Sequence, residues 1–270
     1  MSDRLRLMCV LAHPDDESMG TGSTLAKYAA QGIETFLVMA TRGEKGWPGE
    51  DKDDPGPTAL GKLRQAELTA AALVLGVQQV YYLDYIDGEL DQANPSQAIQ
   101  KIVRYIRLIK PQVVVTFGPD GAYGHPDHIA ISQFTTAATV CAADPNYAEG
   151  ESLPAHRVPK LYYSMDTRQL WDEYETAAGE IRMPVDGILR KPVLWEEWAI
   201  SARIDGCDYW RTALEAVLCH KSQVSSFGDL WRFSEEQQCC LWGERTYYRA
   251  YSLVNGGRVI EDDLFAGIYT

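Results

Sequence analysis

The chain has 270 residues and carries 38 Asp and Glu against 25 Lys and Arg, a formal net charge of −13, with 46% hydrophobic residues. That apolar share suits an ordinary globular core, whereas the acidic balance, with no Lys/Arg-rich run, makes nucleic acid and anionic membrane surfaces poor partners. No apolar run approaches the roughly 20 residues of a membrane-spanning helix, the N-terminus lacks a signal-peptide pattern, and the six cysteines form no C-x-x-C pair, which reads as thiols in a reducing cytoplasm.

Residues 5–11 form an apolar run of strand length, and Ala12-His13-Pro14-Asp15-Asp16-Glu17 begins where that strand stops. A helix is expected over 18–30, with Leu25 and Ala29 four apart and Gly32 past its end. Strand 2 is expected at 33–40, followed by a loop at 43–62 dense in Gly, Pro and Asp, a length that is usually functional or disordered. A helix over 63–75 places apolar residues at 63, 68, 72 and 75 and is ended by Gly76. Strand 3 is short, at 80–83. The next helix, 96–109, has Ser96 as its cap and apolar residues at 99, 102, 103, 106 and 109. Pro111 marks its exit into a buried strand at 112–117. The loop from Gly118 to His128 then leads into a helix over 129–138, and 159–164 reads as strand 5.

This alternation predicts an α/β fold: a Rossmann-like, mostly parallel sheet flanked by helices. Beyond about 165, residues 208–220 form a helix with Trp210, Leu214, Val217 and Leu218 on one side, and 180–205 and 245–260 alternate enough for short strands or a hairpin. No linker or repeat divides the chain. We therefore expect a single domain over 1–270, with a core at 1–165 and a C-terminal extension at 166–270 packing on the pocket side.

Two strand-end clusters carry the chemistry. His13 and Asp16 are good ligands for zinc or a similar divalent ion, and Asp15 between them is placed to act as a base. A lone Asp there would be explained as a helix cap; a His and three acids within five residues would not. The second cluster, His125-Pro126-Asp127-His128, holds two more of the five histidines. A catalytic zinc site needs three protein ligands and an open position. His128, just before a helix, is the better third ligand; His125 is then left for chemistry, and Asp127 can orient a His side chain. A nucleotide site is disfavoured, because Gly20-Thr21-Gly22 lacks a third glycine and lies inside the expected helix. No G-x-S-x-G is present.

The paired motifs AHPDDE at 12–17 and HPDH at 125–128 resemble the signature of the LmbE-like, or PIG-L, family of zinc-dependent de-N-acetylases. Supporting pieces are Thr41-Arg42-Gly43-Glu44, Arg64-x-x-Glu67, Leu75-Gly76-Val77, Leu83-Asp84-Tyr85-x-Asp87, His220-Lys221-Ser222-Gln223 and Asp263-Leu264-Phe265-Ala266-Gly267. With a strand order of 3-2-1-4-5, taken partly from that family's fold, both clusters would face one another at the switch point. The resemblance implies metal-assisted amide hydrolysis with Zn2+, or Fe2+ or another divalent ion, held by His13, Asp16 and His128. Asp15 would take the proton of the attacking water, and His125, oriented by Asp127, would donate to the oxyanion, with Tyr123 close by. Arg64, whose bland reading is a surface ion pair with Glu67, would bind substrate. Arg42 and Glu44 sit at the same sheet edge, and Trp47 could stack on a sugar. His220 reads as a helix cap or a pocket wall, not as a ligand.

The expected substrate is a small, soluble N-acetylglucosaminyl conjugate, neutral or with one acidic group that Arg42 and Arg64 could meet at the pocket rim. Other readings are an amidase for a larger acyl amide or thiol conjugate, and a non-catalytic metal- or sugar-binding protein. Assembly of copies into a homo-oligomer stays open.

Overall fold

The computed structural model describes residues 4–147, 153–168, 171–172, 175, 182–185, 187–227 and 233–268. Five parallel strands form the centre: β1 (Arg6–Leu11), β2 (Glu34–Met39), β3 (Gln79–Tyr82), β4 (Val113–Phe117) and β5 (Lys160–Met165). Two later strands, β8 (Ala202–Asp205) and β9 (Glu244–Ser252), extend the sheet antiparallel, giving the order β3-β2-β1-β4-β5-β9-β8. A separate hairpin pairs β6 (Met183–Val185) with β7 (Ile188–Arg190). The expected strands at 180–205 and 245–260 are thus two kinds of element, a hairpin and a sheet edge; positions 180, 181 and 186 lie outside the described residues.

Among the described residues the sheet is accompanied by α1 (Asp16–Ala30), α2 (Pro57–Val74), α3 (Pro95–Ile109), the single turn α4 (Gly121–Gly124), α5 (Pro126–Cys141), α6 (Trp210–Cys219) and α7 (Glu235–Gly243). The central strands β1 and β4 are almost wholly buried. Each large aliphatic side chain so removed from water contributes about 1.5–3 kcal/mol. One continuous apolar core runs from Leu7 and Val114 to Ile204, Tyr247 and Phe265, so the C-terminal third shares it.

Several helix starts differ from the sequence reading, and each has a local cause. Helix α2 begins at Pro57, six residues before the expected position, with Pro in the first turn where its missing N–H costs nothing. Its buried stripe is Leu60, Arg64, Glu67, Leu68, Ala71 and Ala72, so Leu63 is left 44% exposed. Helix α3 is capped by Asn94, whose side chain accepts from Gln97 N at 3.2 Å, rather than by Ser96. On α6 the buried side is Ala213, Ala216 and Val217, while Leu218 is 39% exposed. The small residues have a reason: a Cβ on Gly22 of α1 would sit 3.1 Å from Ala213 Cβ, so the two helices cross in close contact.

The β1–β4 pairing sets Leu7 beside Val113 and Cys9 beside Val115. The loops that leave these two strands therefore emerge side by side, although about a hundred residues separate them along the chain.

Candidate active site

Two ring nitrogens and the two oxygens of one carboxylate converge beyond the ends of β1 and β4. His13 Nδ1 lies 3.2 Å from His128 Nε2, His128 Nε2 lies 3.4 Å from Asp16 Oδ1, and His13 Nδ1 lies 3.8 Å from Asp16 Oδ2. Tetrahedral ligation at about 2.0–2.1 Å separates donors by about 3.3–3.4 Å, so two nitrogens and a carboxylate at these spacings fit a zinc-like ion. His13, His125 and His128 also bring ring nitrogens together.

The scaffold around these donors is polar and closed. Asp16 Oδ2 accepts from the backbone N–H of Ala12 (3.1 Å) and His13 (2.7 Å). The far nitrogen of His13, Nε2, donates to Asp87 Oδ1 at 3.0 Å and Asp127 Oδ2 at 3.2 Å. That is the arrangement in which outer carboxylates fix the ring of a metal-ligating His. Asp127 is fully buried and also accepts from Gly88 N (2.7 Å) and Leu90 N (3.1 Å). Its carboxylate thus orients His13 and pins the loop after β3, whereas the expectation was that it would orient His125. Its bond to His125 runs through the backbone: Asp127 N donates to His125 Nδ1 at 3.2 Å. With Nδ1 accepting, a neutral His125 carries its proton on Nε2 and can donate it.

Charge follows this layout. Burial, aided by the nearby His13 and His125, holds His128 well below the usual histidine range, which keeps it neutral. Burial alone would lower His13 too, but Asp87, Asp127 and Asp16 outweigh it and raise it. Burial lifts Asp16 to about 7 against the pull of His13. Burial also raises Asp15, with Arg64 opposing. Asp87 would be raised by burial, but His13 and Arg64 bring it far below the carboxylate range. Burial keeps the Tyr123 phenol protonated; its ring stands edge-on to His125 at 5.8 Å and His128 at 5.2 Å.

The other anticipated residues fall into two groups. Arg64 is only 3% exposed: Nη2 donates to Pro14 O (2.6 Å) and Asp15 Oδ2 (3.1 Å), and Nη1 to Gly43 O (3.0 Å). It is not a rim cation, and it does not pair with Glu67, which instead accepts from Ser222 N and Oγ, both at 2.7 Å. Arg42 is also engaged, lying over the Tyr82 ring at 4.5 Å with Nη2 2.7 Å from Asp84 Oδ1. Glu44 Oε2 accepts from Arg42 N at 3.2 Å and Asp87 N at 3.3 Å, tying the loops after β2 and β3 together. Trp47 packs locally, donating to Glu50 O at 3.2 Å. A cleft of about 420 Å3 opens beside His125 and Asp87, lined also by Lys45, Asp91, Gln92 and Val185.

Sequence reasoning gave no role to Asp87, Glu17 or Glu67 individually and left His220 as a helix cap or a pocket wall. Asp87 had a signal, since it follows the end of strand 3 on the same sheet edge. The others are buried ionisable groups whose partners lie far off in sequence.

A doubly wound α/β fold with a His–Asp–His set at its switch point defines the class. The chain belongs to the PIG-L family: the family described as GlcNAc-PI de-N-acetylase matches residues 8–139. It is 31% identical to the mycothiol S-conjugate amidase of Streptomyces coelicolor, with 99% of each chain covered. It is 33% identical to the 1D-myo-inositol 2-acetamido-2-deoxy-alpha-D-glucopyranoside deacetylase of Streptomyces griseus, covering 97% of this chain and 89% of that one. Among solved structures, the N,N'-diacetylchitobiose deacetylase of Pyrococcus horikoshii shares the fold, with a TM-score of 0.67 at 19% identity over 92% of this chain and 84% of that one.

Proposed function

We propose that the protein removes the acetyl group from a small, hydroxyl-rich N-acetylglucosaminyl conjugate, using a divalent metal held by His13, Asp16 and His128. The chain is an amide hydrolase of the deacetylase and amidase kind. One observation carries the finer reading: the three donors stand 3.2–3.8 Å apart, with Asp15 adjacent in sequence and held by Arg64. Zinc bound there would supply an acidified water and a positive charge to polarise the acyl carbonyl.

The chain's own groups do the rest. Asp15, its pKa raised by burial, accepts the proton of the attacking water. Arg64 holds that carboxylate in place. His125 Nε2–H donates to the oxyanion, and the Tyr123 hydroxyl approaches the same oxygen. Asp15 or His125 returns a proton to the departing amine, and acetate leaves. The cleft at Lys45, Asp91 and Gln92 offers room for the part of the substrate beyond the amide.

We read residues 1–270 as one domain, a reading supported by the core that Leu7 shares with Tyr247 and Phe265. Among the described residues no helix is long and apolar enough to cross a membrane. The six free cysteines support a cytoplasmic setting.

The test is acetate release from 1D-myo-inositol 2-acetamido-2-deoxy-alpha-D-glucopyranoside by zinc-loaded protein. Cleavage of a mycothiol S-conjugate in preference to that compound would favour the amidase reading; mycothiol S-conjugate amidase is the name of the Streptomyces coelicolor relative.

A further inference from the structure

Asp15 precedes the first residue of α1, yet its backbone is unusual for a helix cap, with φ of 112° and ψ of −28°, and its side chain makes no capping hydrogen bond. A non-glycine residue keeps such a conformation only where its surroundings impose it. Arg64 supplies one restraint, through Pro14 O and Asp15 Oδ2. Glu17 supplies the other. Its Oε2 accepts from Asp15 N at 3.0 Å, which turns the carboxylate of the third acid of the cluster back onto the backbone of the first acid.

Glu17 is fully buried, and its second oxygen is held from the opposite end of the chain. Oε1 accepts from Ser18 Oγ at 2.5 Å and faces His220 Nε2 at 2.8 Å. His220 is itself fully buried. The residues after it are anchored too: Ser222 donates to Glu67, and Gln223 Nε2 donates to Gly46 O at 2.9 Å. The segment 220–223 therefore grips the start of α1, the middle of α2 and the loop after β2 at once.

We propose that Glu17 and His220 are positioning residues for the general base, fixing the left-handed turn at Asp15 and with it the direction of its carboxylate. This rests on the reading of Asp15 as the base. A pair that served only to attach the C-terminal third would need no contact with Asp15 N; the 3.0 Å bond supplies that contact.

The test compares His220→Ala, His220→Gln and wild type, each in the native and the Asp15→Asn background. The readouts are kcat and KM for acetate release from 1D-myo-inositol 2-acetamido-2-deoxy-alpha-D-glucopyranoside, zinc stoichiometry and thermal unfolding. In the native background His220→Ala should lower kcat about 10–100-fold, the cost of a small misplacement. KM should stay within about twofold, and zinc should stay near one per chain. His220→Gln, which keeps an N–H donor for Glu17, should recover part of the loss and stands in if His220→Ala does not fold. In the Asp15→Asn background the same substitutions should change kcat less than about twofold, because the group being positioned no longer acts. An equal loss in both backgrounds, or loss of zinc, would overturn the proposal. Unchanged turnover in Asp15→Asn alone would remove the base itself, a different failure that takes the positioning role with it.

Discussion

Asp127→Asn separates a residue that tunes the metal site from one that only staples a loop. The carboxylate accepts from Gly88 N and His13 Nε2 through Oδ2 and from Leu90 N through Oδ1. An Asn would keep its one oxygen toward Gly88 and His13 and turn its NH2 toward the Leu90 N–H. Two buried donors, the Leu90 N–H and the amide NH2, then face each other unsatisfied, at about 1–3 kcal/mol each, with a melting point lowered by roughly 2–4 °C per kcal/mol for a chain of this size. The negative charge on His13 is lost as well. Removing such an outer partner costs about 10–100-fold in metal affinity, or about 1.4–2.7 kcal/mol. Competition with a chromophoric chelator measures the affinity, and a thermal scan measures the fold. If the protein melts earlier while zinc affinity stays within about twofold of wild type, Asp127 does not act on the metal through His13.

Other expectations follow from the same geometry. In metal-free protein Asp16 is raised by burial from 3.8 to about 7, so it holds more protons folded than unfolded, and its contribution to stability is lost as pH rises through that window. Zinc must displace that proton and the one that Asp87, Asp127 and Asp16 favour on His13; its affinity should climb with pH through about 7 and keep climbing above it, and a pH-independent affinity would contradict this. Gly121 has φ of 65°, and a Cβ there would meet Ile129 Cγ1 at 2.7 Å and His128 Cβ at 3.2 Å. Gly121→Ala should therefore displace His128 and weaken zinc binding, read by the same chelator competition. Lys160→Met strands Glu261, but Arg249 remains 3.0 Å from its Oε1. The loss should fall at the lower end of about 3–5 kcal/mol in urea unfolding, and Lys160→Met with Glu261→Gln should regain much of it.

The strands were legible because buried parallel strands write themselves as short apolar runs, as at 7–11 and 113–117, whereas their order came partly from the family resemblance. The ligand candidates were suggested by polar clusters in the segments that follow β1 and β4, although His128 lies in the first turn of α5 rather than just before a helix. What could not be read was the use of charge inside. Arg64 and Glu67, three apart on one helix, look like a surface pair; both are buried and reach different parts of the site. Arg42 looks like a rim cation but spends itself on Tyr82 and Asp84. The Glu17–His220 contact spans 203 positions, and no local pattern announces it. The start of α2 is hidden for a simpler reason: Pro57 reads as loop composition but marks the first helical turn.

The most direct test of the account is paired acetate release and zinc content for wild type and Asp15→Asn. Wild-type protein loaded with about one zinc per chain should free acetate and the amine in equal amounts from 1D-myo-inositol 2-acetamido-2-deoxy-alpha-D-glucopyranoside. Asp15→Asn should retain its zinc and lose about 100-fold or more in kcat. No acetate from the zinc-loaded wild type, or near-normal turnover by Asp15→Asn, would contradict it.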